Sequence, residues 1–331
     1  MEKIKNQIIT KIKFNKIMKL HNEVEFYECT FTERIINTKA KDKKMKFQLC
    51  TFDKHTVFTK ELTDLTIIKC TFNDMVDFIN IPKIEFLKIV YSIFNEVVSF
   101  RELNINEFRS NMNHFSRSVF FQKITFNIID LKSTSYNDKI EFHDIINLNN
   151  KELEIENLSN RETARIIKDS FEQQNNIIEA NKYYAIEMQK REDELSWKDN
   201  FLEKLVFKAH GLTSNHSQDW FLASLWVILF GMLLTVFKSD FSFGIKTFLC
   251  LVPFLYISMN KYMFIVFYSL YFLFMNSINK HPLDDFASNI NPFSIMTSAD
   301  KLTFTELVFK IIIAFLIYQL IVSIRQNTRR K

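Results

Sequence analysis

Glycine is almost missing from this chain: there are 3 in 331 residues, where average usage of about 7% would supply roughly 23. With glycine only at Gly211, Gly231 and Gly244, no glycine-rich phosphate cradle, dinucleotide fingerprint or Walker loop can be written, which removes most nucleotide-using enzymes. The 7 histidines include no H-x-x-x-H or H-E-x-x-H pair, so no metal-hydrolase ligand set is legible. A G-x-S-x-G nucleophile elbow is also missing. Adjacent carboxylates such as Glu192-Asp193 and Asp284-Asp285 fall on different helix faces or in a loop and give no basis for acid–base chemistry. The expectation is a protein that is not an enzyme and uses no cofactor or metal.

A large excess of charge of one sign is also missing. The net +5 comes partly from the last seven residues, so no basic footprint for nucleic acid follows. The 4 cysteines, at 29, 50, 70 and 250, form no C-x-x-C pair, and they read as small core residues in a reducing compartment. The first residues, Met1 to Gln7, lack the apolar core of a signal peptide, so export of the N-terminal part by cleavage is not expected. What is present is a gradient: 47% of the residues are hydrophobic and 24% charged, but the long charge-free apolar runs all lie after residue 218.

Self-similarity at a fixed period appears in Cys29-Thr30-Phe31, Cys50-Thr51-Phe52 and Cys70-Thr71-Phe72. Ile84-Glu85-Phe86, Leu103-Asn104-Ile105, Ile124-Thr125-Phe126 and Ile140-Glu141-Phe142 echo the pattern. A second apolar residue precedes the last of the tripeptide by five: Phe26 before Phe31, Phe47 before Phe52, Ile67 before Phe72, Phe121 before Phe126. Neither 3.6 nor 2 produces a step of five, whereas a square solenoid coil with about five residues per face and four faces produces both five and twenty. Each face then points one large residue inward with a smaller one two positions earlier, so Phe26, Phe31, Phe47, Phe52, Phe72, Phe126 and Phe142 are candidate core residues. Cys29, Cys50 and Cys70 join them as the smaller members. Residues 32 to 46 and 106 to 119 do not fit the step. The alternative is an ordinary antiparallel sheet whose strands share the tripeptide.

These repeats resemble the pentapeptide-repeat family over residues 22 to 158, in degenerate form, with Cys or Ile where the family carries a small residue. The resemblance implies a right-handed quadrilateral β-solenoid. At Asn160 the period turns helical: Asn160 can cap, and Ala164, Ile167 and Phe171 share a stripe. After the break at Gln174-Asn175-Asn176 a second helix carries Ala180, Tyr184, Met188 and Leu195 on one side, which suggests an antiparallel pair. The charge run Lys190 to Glu194 reads as a solvated face or as a contact surface for a partner. Trp197, Phe201, Leu205 and Phe207 are placed to meet a bilayer surface. The segment is similar to the helical connector that follows the solenoid in membrane-anchored pentapeptide-repeat proteins of bacteria.

Trp220 to Phe237 contains no charge, and at about 1.5 Å per residue it nearly crosses a hydrocarbon core of about 30 Å. The expected spans are 219–237, 241–259, 262–278 and 302–324. Core helices of a soluble protein are the alternative, but so many apolar segments would find no covering surface. Arg325, Arg329, Arg330 and Lys331 follow the last span while the 279–301 loop is near neutral or acidic, so the positive-inside rule sets the tail in the cytoplasm. An even number of spans then sets the N-terminal domain there too, in a bacterial inner membrane. The end of the last span, with Leu316-Ile317-Tyr318-Gln319, is again similar to those membrane proteins. Lys246, Glu306 and Lys310 are the costly residues at membrane depth: they either snorkel or form a polar path, and Glu306 and Lys310 are spaced to pair. The loop of residues 279 to 303 carries no potassium-type filter sequence.

The expected class is an α+β multidomain membrane protein. It comprises an N-terminal cap (1–21), a β-solenoid (22–158), a helical-hairpin neck (159–212), a four-helix transmembrane region (219–324) and a basic tail (325–331). The expected role is an interaction, scaffold or sensing module held at the bilayer, with self-association and an unknown cytoplasmic protein as partners and no nucleic acid. The alternative is an ion channel or pore-forming effector whose helices oligomerise.

Overall fold

A computed structural model describes residues 1–36, 43–59, 62–149, 151–238, 269, 282–291 and 303–328. The chain divides into two compact units, residues 1–191 and 192–330. The first is a parallel β-solenoid closed by helices. Its strands form two sheets, of ten and seven strands, in which each strand pairs in parallel with its counterpart one coil away. Successive coils are offset by 20 to 22 residues, as in Val24 to Met45, Met45 to Leu65 and Leu65 to Leu87.

The inward residues come in pairs two apart, as a period-2 strand requires. From Leu87 onward they are Leu87/Ile89, Ser92/Phe94, Val98/Phe100, Leu103/Ile105, Phe108/Ser110, Asn113/Phe115, Val119/Phe121, Ile124/Phe126 and Ile129/Leu131, all buried. The pairs begin every five or six residues, so one coil holds four of them. Between faces the chain bends through single residues with φ of 52° to 56°. One series is Asn6, Glu28, Leu49, Lys69, Tyr91, Met112 and Ser133, and a second is Asn80, Glu102, Lys123 and Asp144. None of these is glycine, so the corners use a left-handed conformation that is unfavourable for an L residue by about 1–2 kcal/mol.

Two expectations from sequence are corrected here. The tripeptide face continues as Ser92-Ile93-Phe94, His114-Phe115 after Asn113, and Ser135-Tyr136 after Thr134, paired in register with Thr71-Phe72. The residues 84–86, 103–105, 124–126 and 140–142 belong to other faces of the coil. Residues 106 to 119, expected to depart from the step, keep it through Phe108/Ser110, Asn113/Phe115 and Val119.

The first strands, Glu2–Lys5 and Ile8–Ile9, already pair with the second coil, at Val24–Tyr27 and Thr30–Phe31. Helix α1 (Lys11–Leu20) is inserted next, capped by the Thr10 hydroxyl, which accepts from Lys13 N–H at 3.4 Å. It buries Phe14 against Phe26, ring centroids 5.9 Å apart. At the other end helix α2 (Arg161–Gln173) starts at Asn160, whose side chain accepts from Thr163 N–H at 2.9 Å. Leu131 N–H donates to Thr163 Oγ1 at 2.8 Å, and Ala164, Ile167 and Phe171 enter the solenoid's apolar core. Asn175, at φ 58°, ends the turn after α2, and helix α3 (Ile177–Glu194) runs back. Its buried face is Ala180, Tyr183 and Glu187 rather than the Tyr184 and Met188 stripe expected. Tyr183 stacks on Phe171 at 5.6 Å, and Glu187 receives Lys168 Nζ at 2.9 Å.

The second unit is helical: α4 (Phe201–Ser214), α5 (Trp220–Lys238), α6 (Pro282–Ile290) and α7 (Phe304–Thr328). Helices α5 and α7 are antiparallel: Lys238 at the end of α5 meets Glu306 at the start of α7 (2.9 Å), and Asn327 Nδ2 donates to Gln218 O at 3.1 Å. Gly231 lets α6 approach α5, since a Cβ there would lie 2.7 Å from Ile290 Cγ1 and 3.0 Å from Phe286. With 19 and 25 residues, α5 and α7 are long and apolar enough to cross a membrane. Apart from Ser269, the expected spans 241–259 and 262–278 lie outside the described residues, so two helices able to cross a membrane, not four, are described.

Candidate functional site

Two groups of residues were picked from the sequence, and they have different fates. All ten expected solenoid-core residues are buried, and they distribute over the four faces of the coil. Phe31, Phe52 and Phe72 form a stack continued by Phe94 and Phe115, with centroid separations of 4.4 to 4.7 Å. Phe142 ends a second stack of Phe58, Phe78, Phe100 and Phe121, spaced 4.6 to 4.9 Å. Phe26 and Phe47 stack on a third face at 5.2 Å. Phe126 sits on the fourth, 5.8 Å from Phe108. The stacks repeat at the spacing of neighbouring strands, so the backbone ladder fixes the ring geometry.

The cysteines have a polar duty that residue type alone hid. Cys50 Sγ lies 3.4 Å from both Gln48 O and Phe26 O of the previous coil, which share its single S–H. Cys29 Sγ likewise lies 3.5 Å from Tyr27 O and Ile4 O. Above them the position is Ser92, whose hydroxyl donates to Val90 O at 3.1 Å, and then Asn113, whose amide donates to Ile89 O at 2.7 Å. Thr134 follows, donating to Ser110 O at 2.7 Å. The column therefore holds a small side chain with a donor, which reaches the corner carbonyl of its own coil at Cys70 and Ser92, a carbonyl of the coil below at Asn113, and both at Cys29, Cys50 and Thr134. Burial raises the thiols of Cys29 and Cys70, keeping them protonated as donors need to be.

At the start of α7 the expected Glu306–Lys310 pair is replaced by a longer-range arrangement. Glu306 binds Lys238 at 2.9 Å and accepts from Thr303 N–H at 3.0 Å, while Lys310 Nζ reaches Asn291 O at 3.5 Å. Asn289 Nδ2 donates to Thr235 Oγ1 at 2.9 Å nearby. At the opposite end of α7, Ser214 Oγ meets Gln319 Oε1 at 3.4 Å. Between these ends Ile313 and Leu316 are buried, so an apolar layer separates the two polar groups. Lys246, Arg329, Arg330 and Lys331 lie outside the described residues, and Arg325 closes the last turns of α7.

A third cluster was not singled out from sequence. At the elbow joining α4 to α5, Asn215, His216 and Ser217 have φ of 47°, 52° and 69° in succession. The rings of His210 and His216 are 5.3 Å apart. His210 Nε2 lies 2.9 Å from Ser217 Oγ, and His216 Nε2 lies 3.6 Å from Glu192, which also binds Lys208 at 3.1 Å. Glu192 is thereby engaged by protein and not merely part of a solvated charge run. Gly211 makes room, since a Cβ there would stand 3.0 Å from His216 Nε2. Burial lowers the pKa of both imidazoles; the neighbouring His216 ring further depresses that of His210, and Glu192 partly offsets the effect at His216. Both are neutral at pH 7.

No family model, curated protein or solved structure matches the chain.

Proposed function

We propose that this protein is an interaction module anchored in a membrane: the solenoid presents a regular surface to partners and the helices of the second unit hold it at the bilayer. One observation carries this. Helix α7 exposes Phe304, Leu307, Val308, Ile311, Tyr318, Ile321 and Ile324, and of the five residues it buries, three are polar, Lys310, Gln319 and Ser323, beside Ile313 and Leu316. That polarity is inverted for a helix in water and suits one in lipid, where apolar side chains meet the solvent and polar ones face protein.

In its finer form the module is a pentapeptide-repeat-type, right-handed quadrilateral solenoid on a multi-pass anchor of four spans in a bacterial inner membrane. Both termini are cytoplasmic, the module self-associates or meets a cytoplasmic protein, and it performs no catalysis. The four inward pairs per coil and the antiparallel course of α5 and α7 support this form. The pore-forming alternative gains less support, because the apolar layer of Ile313 and Leu316 interrupts the polar groups along α7.

Alkaline extraction of cell membranes, together with an alkaline-phosphatase fusion after Lys331, tests the proposal. The chain is expected in the membrane pellet with an inactive phosphatase. A soluble chain would overturn the anchor, and an active phosphatase would overturn the cytoplasmic tail. Discrete currents in planar bilayers that change with Glu306→Gln would replace the module by a channel.

A further inference from the structure

Helix α4 is packed the wrong way round for a soluble protein. Its polar side is tied to its own unit: Lys208 binds Glu192 at 3.1 Å, His210 meets Ser217 at 2.9 Å, and Ser214 meets Gln319 at 3.4 Å. Only Thr213 and Ser214 of its fourteen residues are buried. The side left open carries Phe201, Leu202, Leu205, Val206 and Leu212, between 48% and 73% exposed. With Ala209 they recur at i, i+1, i+4, i+5, i+8 and i+11, one face of a helix.

Aromatic residues flank this face. Trp197 lies against Phe201, ring centroids 5.8 Å apart, and Trp220 is exposed at the start of α5. Lys204 Nζ sits 5.4 Å from the Trp197 ring centre and donates to Leu195 O at 2.7 Å, which fixes the turn into α4. An exposed apolar stripe bordered by Lys204 and Lys208, with tryptophans at its ends, has the makeup of a helix lying in a membrane interface.

We infer that α4 is an in-plane helix whose Phe201–Leu202–Leu205–Val206–Leu212 face is seated in the lipid headgroup and upper acyl region, with the bilayer as its partner. The inference rests on the anchored reading of α5 and α7. Continuity favours lipid as the occupant: the elbow at Asn215–Ser217 joins α4 directly to α5, and Trp226 Nε1 donates back to Leu212 O at 3.2 Å. The open face of α4 therefore begins where the membrane-crossing helix begins. In this role α4 sets the height at which the chain enters the bilayer.

The test uses the full chain with Cys250→Ser, the three described cysteines being buried, reconstituted in vesicles of phosphatidylcholine and phosphatidylglycerol. Spin labels are placed one at a time at Leu202→Cys, Val206→Cys, Glu203→Cys and Ile311→Cys. Relaxation by oxygen, which partitions into lipid, is compared with relaxation by a water-soluble nickel chelate. The oxygen-to-nickel ratio is expected to be several-fold higher at 202 and 206 than at 203, and highest at 311. Equal, nickel-favoured ratios at 202, 203 and 206 with a lipid-like 311 would overturn the inference and leave the anchor standing. Labels at 202 and 206 shielded from both reagents, with spin–spin broadening that vanishes on dilution with unlabelled protein, would place a second copy on the face and also overturn it. A nickel-favoured label at 311 would overturn the anchored reading itself.

Discussion

The two units of this chain both bury an apolar core, but they differ in what they leave exposed. In the solenoid, large apolar side chains fill the interior as Phe100 and Phe72 do, and the charges that are buried are held by partners, as Glu25 is by Lys46 at 2.8 Å and Asp77 by Arg101 at 3.1 Å. In the second unit Leu225, Trp226, Leu229, Leu233 and Leu316 are buried together with the polar Ser214, His216, Asn289, Lys310 and Gln319, whereas Leu202, Val206, Ile311 and Ile321 are exposed. Under the proposed membrane anchor, the comparison teaches that the two units are matched to different solvents. Water drives apolar groups together in the first. In lipid that drive is gone, and close packing and polar contacts between helices remain.

The largest effect that sharpens the contrast is a pair of truncations. Phe100→Ala should cost about 3–5 kcal/mol, because it removes a ring stacked on both sides. Ile321→Ala on the exposed face of α7 should cost well under about 1 kcal/mol. Thermal unfolding of the full chain in nanodiscs, followed by the β signal for the first and the helical signal for the second, checks both. Comparable losses would break the distinction between the units.

Next in size is the donor column. Asn113→Ala removes the amide bond to Ile89 O and the acceptor for Ser92 N–H, so a loss of about 2 kcal/mol is expected. Cys50→Ala removes only weak thiol bonds and a little packing and should cost about 1 kcal/mol. Chemical denaturation of the two variants ranks them, and the reverse order would mean that packing, not donation, selects the residue in this column.

A pH change addresses the elbow. His210 and His216 have folded pKa values below their ordinary value of 6.5, so the unfolded elbow binds protons more readily. Stability is then fully present above pH 6.5 and falls as the pH drops below it. Hydrogen exchange of residues 210–219 should accelerate between pH 7 and pH 5.5, and His216→Gln should blunt the change. Protection that is flat with pH would show that the two rings are not held neutral by burial.

The smallest effect concerns the corners. Tyr91 has φ of 55° and is 52% exposed, so Tyr91→Gly relieves left-handed strain at little loss of packing. A gain of about 0.5 kcal/mol is expected after the greater chain entropy of glycine is deducted. A destabilised variant would mean that the tyrosine makes a contribution beyond its backbone conformation.

The sequence disclosed the coil because Cys-Thr-Phe repeats in identical letters through Phe31, Phe52 and Phe72. It concealed the later rungs because what the column requires is a small donor, and Ser92, Asn113 and Thr134 meet that need with different chemistry. Phe94 and Phe115, falling at the solenoid period after Phe72, were the signal available. The corners were hidden for a related reason: Leu49, Tyr91 and Met112 occupy left-handed positions that glycine would have advertised. The helix start at Asn160 was legible because its capping is local. The partner of Glu306 was not, because Lys238 comes to it from another helix, and local spacing could offer only Lys310. The α3 face was misjudged by one residue, Tyr183 for Tyr184, because the buried stripe includes Glu187, whose charge is matched by Lys168 across the pair.

The most direct test of the central claim, that one unit lives in water and the other in lipid, is photolabelling of the full chain in native membranes with a lipid-soluble carbene precursor, followed by peptide mapping. Peptides covering Trp220–Lys238 and Phe304–Thr328 should carry the label, concentrated at Ile311, Tyr318 and Ile321, while peptides from residues 1–191 carry none. Label spread evenly over both units, or missing from the two helices, would contradict the account.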